Sequence, residues 1–250
     1  MKMTRQIVIA MVVLSLGLVG FADADTIAVV NGNISQTSGW DNGLPASGNN
    51  GTIAVATTTN TTIWLSMWGA GSVVTMNAGG SIAGKYIRTS GAMTFNVTGG
   101  SLNPTVDAGP DGAGTAASIM NISGGSHTIP QLGAYNDGTL TISGSAVLAT
   151  SVGPYMQKDG STMNFLSSWT GSYTATAFSG INWEEMFTKG FQNRSTRRLE
   201  LDGSLIDAAT FNATFDVSPN GQTLSIPEPA TMTLLAIGGF SVLLKRRRRA

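Results

Sequence analysis

Five aspartates and three basic residues are the only charged side chains between residues 26 and 180, a stretch without glutamate. Acid–base chemistry on a sugar needs two facing carboxylates, or a base beside a metal or an arginine. Asp111 and Asp137 are 26 residues apart, the distance expected for neighbours in a repeat, but each precedes a glycine as turn aspartates do. We prefer the turn interpretation. The charged candidates are Asp41, Asp107, Asp111, Asp137, Asp159, Lys85, Arg88 and Lys158.

Ligand-binding residue types also occur singly. The stretch DAGPDGAG (107–114) offers oxygen ligands for calcium, but its spacing matches no regular calcium loop and favours a turn. His127 follows a Gly-Gly-Ser turn without an evident partner, so neither a metal site nor a catalytic triad is predicted there. Trp64 and Trp68 would stack on sugars if exposed, although core packing is the preferred interpretation. No cofactor, metal site or catalytic residue is therefore predicted.

The overall composition excludes several other classes of protein. The chain has no cysteine, which excludes disulfides, thiolate metal sites and a thiol nucleophile. It has no phosphate-binding loop, no dinucleotide fingerprint and no paired-histidine motif. Residues 25–226 carry seven basic and twelve acidic side chains, a net charge of −5, so no nucleic-acid partner is expected.

The elements that must position these residues are repeats. Four stretches align: VTMNAGGSI (74–82), MTFNVTGGSL (93–102), SIMNISGGSH (118–127) and GTLTISGSAV (138–147), with STMNFLSSW (161–169) a weaker fifth. Their central polar residues are spaced by 19, 25, 20 and 23 residues, and apolar residues alternate around them. This is the pattern of short strands with one buried face, each ended by a glycine turn. The central residues are Asn77, Asn96, Asn121, Thr141 and Asn164.

Strands that recur every 20–25 residues predict an all-β fold, a parallel β-solenoid with one coil per repeat. Parallel stacking would place Phe95 near Met120 and Leu140. The second buried row would hold Ala78, Val97, Ile122, Ile142 and Phe165. The central polar column would then lie outside, where side-chain amides can hydrogen-bond from coil to coil.

A different pattern follows the repeats. In residues 181–204, Trp183, Met186 and Phe187 have helical spacing before Gly190, which predicts a short amphipathic helix that caps the last coil. The stretch TFDVSPNGQTLSI (214–226) alternates on both sides of Pro-Asn-Gly and predicts a hairpin. The charged residues of this segment are expected on its solvated face: Glu184, Glu185, Arg194, Arg197 and Arg198.

The N-terminus has the three parts of a secretory signal. Lys2 and Arg5 precede an apolar run from Ile7 to Phe21, and Ala22-Asp23-Ala24 has the form of a cleavage site. We predict a signal peptide over residues 1–24 and a mature chain that begins near Asp25. An uncleaved membrane anchor is the alternative.

The C-terminus combines a proline-containing motif, an apolar segment and a basic cluster. Residues 230–244 carry no charge, and as a helix they would reach ~22 Å, a marginal span for a hydrocarbon core of ~30 Å. The basic cluster would stay on the cytoplasmic side and leave the body outside the inner membrane. Pro227 and Pro229 hold Glu228 in an extended, accessible segment. The cluster consists of Lys245, Arg246, Arg247, Arg248 and Arg249.

The stretch PEPATMTLLAIGGFSVLLKRRRR (227–249) resembles the PEP-CTERM sorting signal of Gram-negative bacteria. All three parts of that signal occur in order: Pro-Glu-Pro, a glycine-containing hydrophobic helix and an arginine cluster. The resemblance implies Sec-dependent export and recognition near Pro227, Glu228 and Pro229 by an exosortase, a membrane cysteine protease-transpeptidase. It also implies passage through the inner membrane and delivery to the cell surface or extracellular matrix. A plain C-terminal anchor is the alternative.

A second resemblance lies near the mature N-terminus. GWDNGLPASGNNGTIAV (39–55) is similar to the W-x-x-G-x-P openings of secreted β-helical proteins related to autotransporter passenger repeats. It implies a right-handed parallel β-helix.

Four segments are thus predicted: a signal peptide (1–24), β-solenoid repeats (25–180), a capping helix with a hairpin (181–226) and a sorting signal with a transmembrane helix and basic tail (227–250). The predicted function is that of an exported, non-enzymatic surface protein, with exopolysaccharide as a further expected partner. A polysaccharide lyase-like β-helix and a carbohydrate-binding adhesin are the alternatives. A cleft of aspartate with lysine or arginine would favour the lyase, and a row of exposed aromatic rings the adhesin.

Overall fold

The computed structural model describes residues 26–28, 33–34, 36–42, 44–46, 50–64, 71–89, 92–109, 117–177, 182–193 and 196–227, with the backbone alone for 59–64. Within these ranges the chain forms a parallel β-solenoid of about five turns with few helices. Three sheets run along its sides. The predicted all-β solenoid is confirmed.

One side of the solenoid is an eight-stranded parallel sheet, here called the long sheet. Each full coil contributes one strand to it, the incomplete coils at the two ends contribute the others, and every neighbouring pair is parallel. Its strands, in spatial order, are β1 (Thr26–Ile27), β2 (Gly51–Ile53), β4 (Val73–Met76), β6 (Thr94–Val97), β9 (Ile119–Ile122), β12 (Thr139–Ile142), β15 (Thr162–Phe165) and β17 (Arg198–Leu201).

The second side carries most of the chain's tyrosines on its outer face and is called the tyrosine sheet. Its strands, in spatial order, are β14 (Tyr155–Met156), β11 (Leu132–Ala134), β8 (Thr105–Ala108), β5 (Ser81–Thr89) and β3 (Ala56–Trp64), and β7 (Ser101–Leu102) pairs with β5 off this path. The third side, the hairpin sheet, contains β10 (Ser126–Ile129), β13 (Val147–Thr150), β16 (Ser172–Ala175), β19 (Thr223–Ser225) and β18 (Asp216–Val217).

Proline placement explains why the later coils have separate strands where the early coils have one. Pro104, Pro130 and Pro154 each lie between the second and third strands of a coil. Proline lacks the N–H that a ladder hydrogen bond needs, so the strand breaks at that corner. β3 and β5 contain no proline, and each runs unbroken past the corner.

The buried rows of the long sheet follow the predicted stacking. Phe95 pairs with Met120, which pairs with Leu140, and all three are fully buried. Val97, Ile122, Ile142 and Phe165 form the second row, also fully buried. Seven of the eight residues predicted for these rows are therefore confirmed, and Ala78 is the exception.

The predicted register of the first repeat is wrong by two residues. Thr75, not Asn77, pairs with Asn96, and Met76, not Ala78, pairs with Val97. Met76 is fully buried, whereas Asn77 and Ala78 are exposed in the turn that follows. A shift of two residues keeps the same side chains on the inner face, so alternation alone does not set this register. The observed register fills the two inner rows with Val74 and Met76, both fully buried, instead of Met76 and the smaller Ala78.

The glycine turns stack as tightly as the strands. Gly100 and Gly125 both have positive φ, and a Cβ on Gly100 would overlap the carbonyl of Gly80 in the preceding coil. A Cβ on Gly125 would likewise meet the carbonyl of Gly100. Glycine is required at these turns both for the backbone conformation and for the close approach of the next coil.

Both ends of the core are closed. At the N-terminal end Trp40 is buried, its Nε1 donates to the carbonyl of Ile34 at 3.0 Å, and its ring and Pro45 pack against Gly51. The W-x-x-G-x-P stretch thus supplies the plug of the first coil. A short 3-10 helix, Thr37–Gly39, precedes the tryptophan.

The C-terminal end is closed by helices and aromatic rings. The predicted cap helix is α1 (Trp183–Thr188), which buries Trp183, Met186 and Phe187 and is followed by Gly190 with φ of 80°. Asn182 caps its N-terminus by accepting from the Glu185 N–H at 2.9 Å. The ring of Phe187 packs against those of Phe165, Phe211 and Phe215. A 3-10 turn, Phe191–Asn193, follows α1.

The rest of the cap combines one predicted and two unpredicted elements. The hairpin is confirmed: β18 and β19 pair antiparallel around Pro219-Asn220-Gly221. Two elements have no counterpart in the sequence interpretation. They are the helix α2 (Ala208–Thr214) and strand β17, which adds a last parallel strand to the long sheet.

Candidate functional site

The outer face of the tyrosine sheet carries three of the four tyrosines of the chain: Tyr86, Tyr135 and Tyr155. β5 alternates so that Ile87 faces the core while Tyr86 and Arg88 face outward. Asp107 lies opposite Arg88 on one side and Gly133 on the other, and Tyr155 lies opposite Gly133. Parallel stacking therefore brings together residues from four successive coils.

Asp107 is the centre of this cluster, and it is only 4% exposed. The Arg88 guanidinium donates to its Oδ2 at 3.1 Å, and the hydroxyl of Tyr86 donates to the same oxygen. Burial, followed by the nearby Asp107 carboxylate, raises the pKa of Tyr86, so this hydroxyl stays protonated and remains a donor. Among the described residues no group donates to the other carboxylate oxygen, Oδ1.

The arginine is held between two rings. Its Cζ lies 4.2 Å from the ring centroid of Tyr135 and 5.1 Å from that of Tyr86. Stacking of this kind fixes a guanidinium and removes it from water. Arg88 and Asp107 are therefore engaged with each other.

Two neighbouring pockets near the corner between the hairpin sheet and the tyrosine sheet are together called the groove. The first has a volume of about 340 Å³, and its lining includes Gln131, Pro154, Tyr155 and Phe191. The second has a volume of about 300 Å³, and its lining includes Asn103, Pro130 and Thr176. Tyr155 forms an edge-to-face pair with Phe191, with ring centroids 5.8 Å apart. Hydroxyl, amide and aromatic groups without a charge line this groove.

The remaining aspartate candidates of the described part of the chain have structural roles. Asp41 accepts from the Ile27 N–H at 2.7 Å and thereby ties down the first strand. Asp137 is in a turn with φ of 49°, which supports the turn interpretation. Asp159 forms a surface ion pair with Arg197 at 2.9 Å. Asp111, the other member of the proposed acid–base pair, lies outside the described residues.

His127 is a structural residue of the core. It is 1% exposed, its Nδ1 accepts from the Leu102 N–H at 3.1 Å, and its Nε2 donates to the Gly124 carbonyl at 2.8 Å. These contacts require the neutral ring, and burial lowers its pKa. In a continuous ladder, a backbone carbonyl of the next coil would accept the Leu102 N–H. Here the imidazole of His127 accepts it instead, and β7 is not a strand of the hairpin sheet.

The central polar residues Asn96, Asn121, Thr141 and Asn164 lie on the outer side of the long sheet, as expected, whereas Asn77 lies in a turn. Asn121 donates from Nδ2 to Oδ1 of Asn96 at 2.9 Å, which confirms amide hydrogen bonding between these two coils. Asn164 instead accepts from the Gly203 N–H at 2.8 Å. The column thus joins neighbouring coils at one point and the cap at another.

The other residues singled out in the sequence are exposed lysines, charged residues of the cap, and residues whose side chains the structure does not describe. Lys85 and Lys158 are exposed. Of the cap charges, Glu185 pairs with Lys189 at 3.1 Å and Arg198 with Glu200 at 2.6 Å, while Glu184 is half-buried and Arg194 lies outside the described residues. Of Trp64 only the backbone is described. Outside the description lie Trp68, Ala22, Ala24, Glu228, Pro229 and Lys245 to Arg249.

No metal-binding cluster of three or more His, Asp or Glu side chains occurs within the described part of the chain. In that part, too, no helix has the length and apolar character needed to cross a bilayer. The predicted signal-peptide segment, residues 7–21, and the predicted transmembrane helix, residues 230–244, lie outside the described residues.

Sequence reasoning identified the residues of the sorting signal but not the tyrosine cluster. Tyr86, Arg88, Asp107 and Tyr135 are up to 49 residues apart and obey no motif. The one available signal was the spacing of Arg88 and Asp107, 19 residues, which is the length of a short coil.

The C-terminal signal continues directly from the folded body. Pro227 is exposed, two residues after the end of β19. Residues 225–249 match the PEP-CTERM protein-sorting motif. No curated protein and no solved structure gives a significant match to the chain. The chain therefore carries a PEP-CTERM sorting motif C-terminal to its β-solenoid body, and this motif implies exosortase-dependent export.

Proposed function

We propose that the protein is an exported surface protein without catalytic activity. An exosortase cuts the body from its membrane tail, and the body is then delivered to the cell surface or matrix. The sorting motif at residues 225–249 is the observation that carries this proposal. A capped β-solenoid suits the destination, because its core needs neither cofactor nor disulfide. We take the winding to be right-handed, as nearly all crossovers between parallel strands are.

In this proposal the signal peptide ends at Ala24 and the tail crosses the inner membrane as a short helix. Lys245 to Arg249 hold the tail on the cytoplasmic side, since arginine and lysine resist translocation. Pro227, Glu228 and Pro229 then lie at the outer face, where a membrane protease reaches them.

Intact-mass spectrometry of the protein from its producing cells tests the proposal. We expect a chain that begins near Asp25 and ends between Pro227 and Pro229. A cell-made protein that keeps Arg246 to Arg249 and fractionates with the inner membrane would identify the tail as an anchor. Replacement of Lys245 to Arg249 by glutamine should abolish correct processing, and unchanged processing would contradict the role given to these charges.

The absence of catalysis rests on the state of the described acids. Asp107 is buried and paired with Arg88, and Asp159 is paired at the surface. Incubation with uronic-acid polymers should give no unsaturated products. Products that disappear in Asp107→Asn or Asp137→Asn would establish the lyase alternative.

A second candidate, a carbohydrate-binding adhesin, is favoured by the tyrosine face and its groove. Half-buried Tyr155 next to uncharged hydroxyl and amide groups suits a neutral glycan laid along the corner. Glycan-array binding tests it. Binding that is lost in Tyr155→Ala but kept in Ile119→Ala, a change on the outer face of the long sheet, would support the adhesin. No binding by the unaltered protein would exclude it for the glycans tested.

A further inference from the structure

The sorting motif and the folded body share residues. Ser225 is the first residue of the motif match and the last residue of β19, where its backbone lies between Ser172 of β16 and Asp216 of β18. Ile226 packs against the core. Pro227 follows directly, so no linker separates the hairpin from the Pro-Glu-Pro motif.

β19 is firmly seated in the hairpin sheet. Leu224 is fully buried opposite Tyr173. The hydroxyl groups of Thr223 and Thr174 are 2.9 Å apart, and the Gln222 side chain donates to the Thr176 carbonyl at 3.0 Å. Because β16 and β18 occupy its two edges, another protein has no free edge on which to bind β19 as an extended strand.

Enzymes and domains that read a linear motif generally bind it as an extended chain, through backbone hydrogen bonds along several residues. The residues immediately before Pro227 already use their backbone groups within the hairpin sheet. A protease at Pro-Glu-Pro therefore lacks the upstream half of an extended substrate while β19 is docked.

We infer that β19 controls access to the sorting motif, so that processing occurs only while this strand is released from β16. This inference rests on the proposed function, since it assumes that the tail is cut. Release is local: β19 pairs antiparallel at the end of the hairpin sheet, and both residues of its outer neighbour β18 are exposed. Such peripheral elements open without unfolding the rest of a domain. Processing therefore competes with closure of the C-terminal cap.

An engineered disulfide tests this directly. Thr174 and Thr223 are register partners with touching hydroxyls, and both precede the motif match. The chain has no cysteine, so Thr174→Cys with Thr223→Cys creates the sole thiol pair. Tail loss is followed by intact mass in producing cells, with and without a membrane-permeable reductant, and signal-peptide removal is measured alongside as a control for export.

We expect the oxidised pair to lose its tail about tenfold more slowly than the unaltered protein, or not at all, because the strand can no longer open. The reduced pair and each single-cysteine variant should be processed at the normal rate. A flexible Gly-Ser linker between Ile226 and Pro227 should restore processing even with the disulfide closed, because the motif then lies clear of the hairpin.

The outcomes separate the inference from the proposed function. If the unaltered protein never loses its tail, the proposed function fails and the inference fails with it. If the unaltered protein is processed and the oxidised pair is processed equally fast, only the inference is overturned. It is also overturned if the linker leaves the oxidised pair unprocessed, since the disulfide would then act by some route other than access.

Discussion

The long sheet and the hairpin sheet are built from the same coils, yet they are held together differently. In the long sheet the strands pair in parallel from end to end, and from β4 to β17 its inner rows contain only apolar residues. The hairpin sheet contains a histidine, a tyrosine and a leucine in one inner row, and its end is antiparallel.

The difference shows where side-chain hydrogen bonds take the place of hydrogen bonds between backbone groups. Repeated residues let the backbone ladder continue, as from β4 to β17 in the long sheet. Where the repeat fails, a side chain completes the structure: His127 accepts the Leu102 N–H, and Arg88 with Tyr86 holds Asp107 on the tyrosine sheet. Stability should therefore depend on apolar burial in the long sheet and on single polar contacts elsewhere.

The largest effect is expected in the long sheet. Phe95→Ala should lower the free energy of unfolding by ~3–5 kcal/mol, because the fully buried ring has no substitute in the stack. Urea titration measures the change. Ile119→Ala, on the outer face of the same sheet and 43% exposed, is the matched control and should cost less than ~1 kcal/mol. A loss under ~1 kcal/mol for Phe95→Ala would contradict the register.

The next effect tests the polar contacts of the tyrosine sheet. Asp107→Ala should cost about 3 kcal/mol, because it leaves the Arg88 guanidinium buried without its carboxylate. Glu185→Ala, which removes a pair with Lys189 in which both side chains are well exposed, should cost far less in the same titration. Equal costs for the two variants would mean that Arg88 reaches solvent easily.

A smaller, pH-dependent effect is expected in the hairpin sheet. Burial lowers the pKa of His127, so the unfolded chain binds the proton more readily than the folded protein. The stabilisation is complete above the unfolded pKa of about 6.5 and is lost as the pH falls below it toward the folded pKa. Loss of the Leu102 hydrogen bond alone is worth about 1 kcal/mol.

Thermal or urea unfolding between neutral and mildly acidic pH measures this effect. His127→Gln should be less stable at neutral pH and should lack this part of the pH dependence. The neighbouring residues of the same inner row are Leu148 and Tyr173. Leu148 has no titratable group, and burial raises the pKa of Tyr173, so neither carries a charge between neutral and mildly acidic pH. An unchanged pH profile in the variant would assign the dependence to other groups.

The smallest effect is expected for the polar column of the long sheet. Asn121→Ala removes one hydrogen bond to Asn96 and should cost about 0.5–1 kcal/mol. Thr141→Ala, one coil further along the same column, is the comparison. A smaller loss of stability in this variant would show that the amide hydrogen bond matters, and an equal loss would show that any polar side chain suffices. A cost above that of Phe95→Ala would show that the polar column contributes more to the stability of the long sheet than its core does.

Much of the fold followed from the order of residues. The period-2 strands, the glycine turns and the helical spacing of Trp183, Met186 and Phe187 predicted the coils, their stacking and the cap helix. These features are local, and each strand repeats the same pattern, so the errors are few. The first repeat is out by two residues because Asn77 belongs to its turn, which is one residue longer than the next turn, and an alignment on the asparagines hides this.

The sequence by itself also determined the sorting motif, because a linear signal is read without folding. Only the tertiary structure decided that Asp107 lies between Arg88 and Gly133, that His127 accepts a hydrogen bond from the preceding coil, and that Ser225 is held inside a sheet. Each of these contacts joins residues at least 19 positions apart. Such contacts depend on the length of every coil between them, and coil length is set by packing across the whole stack.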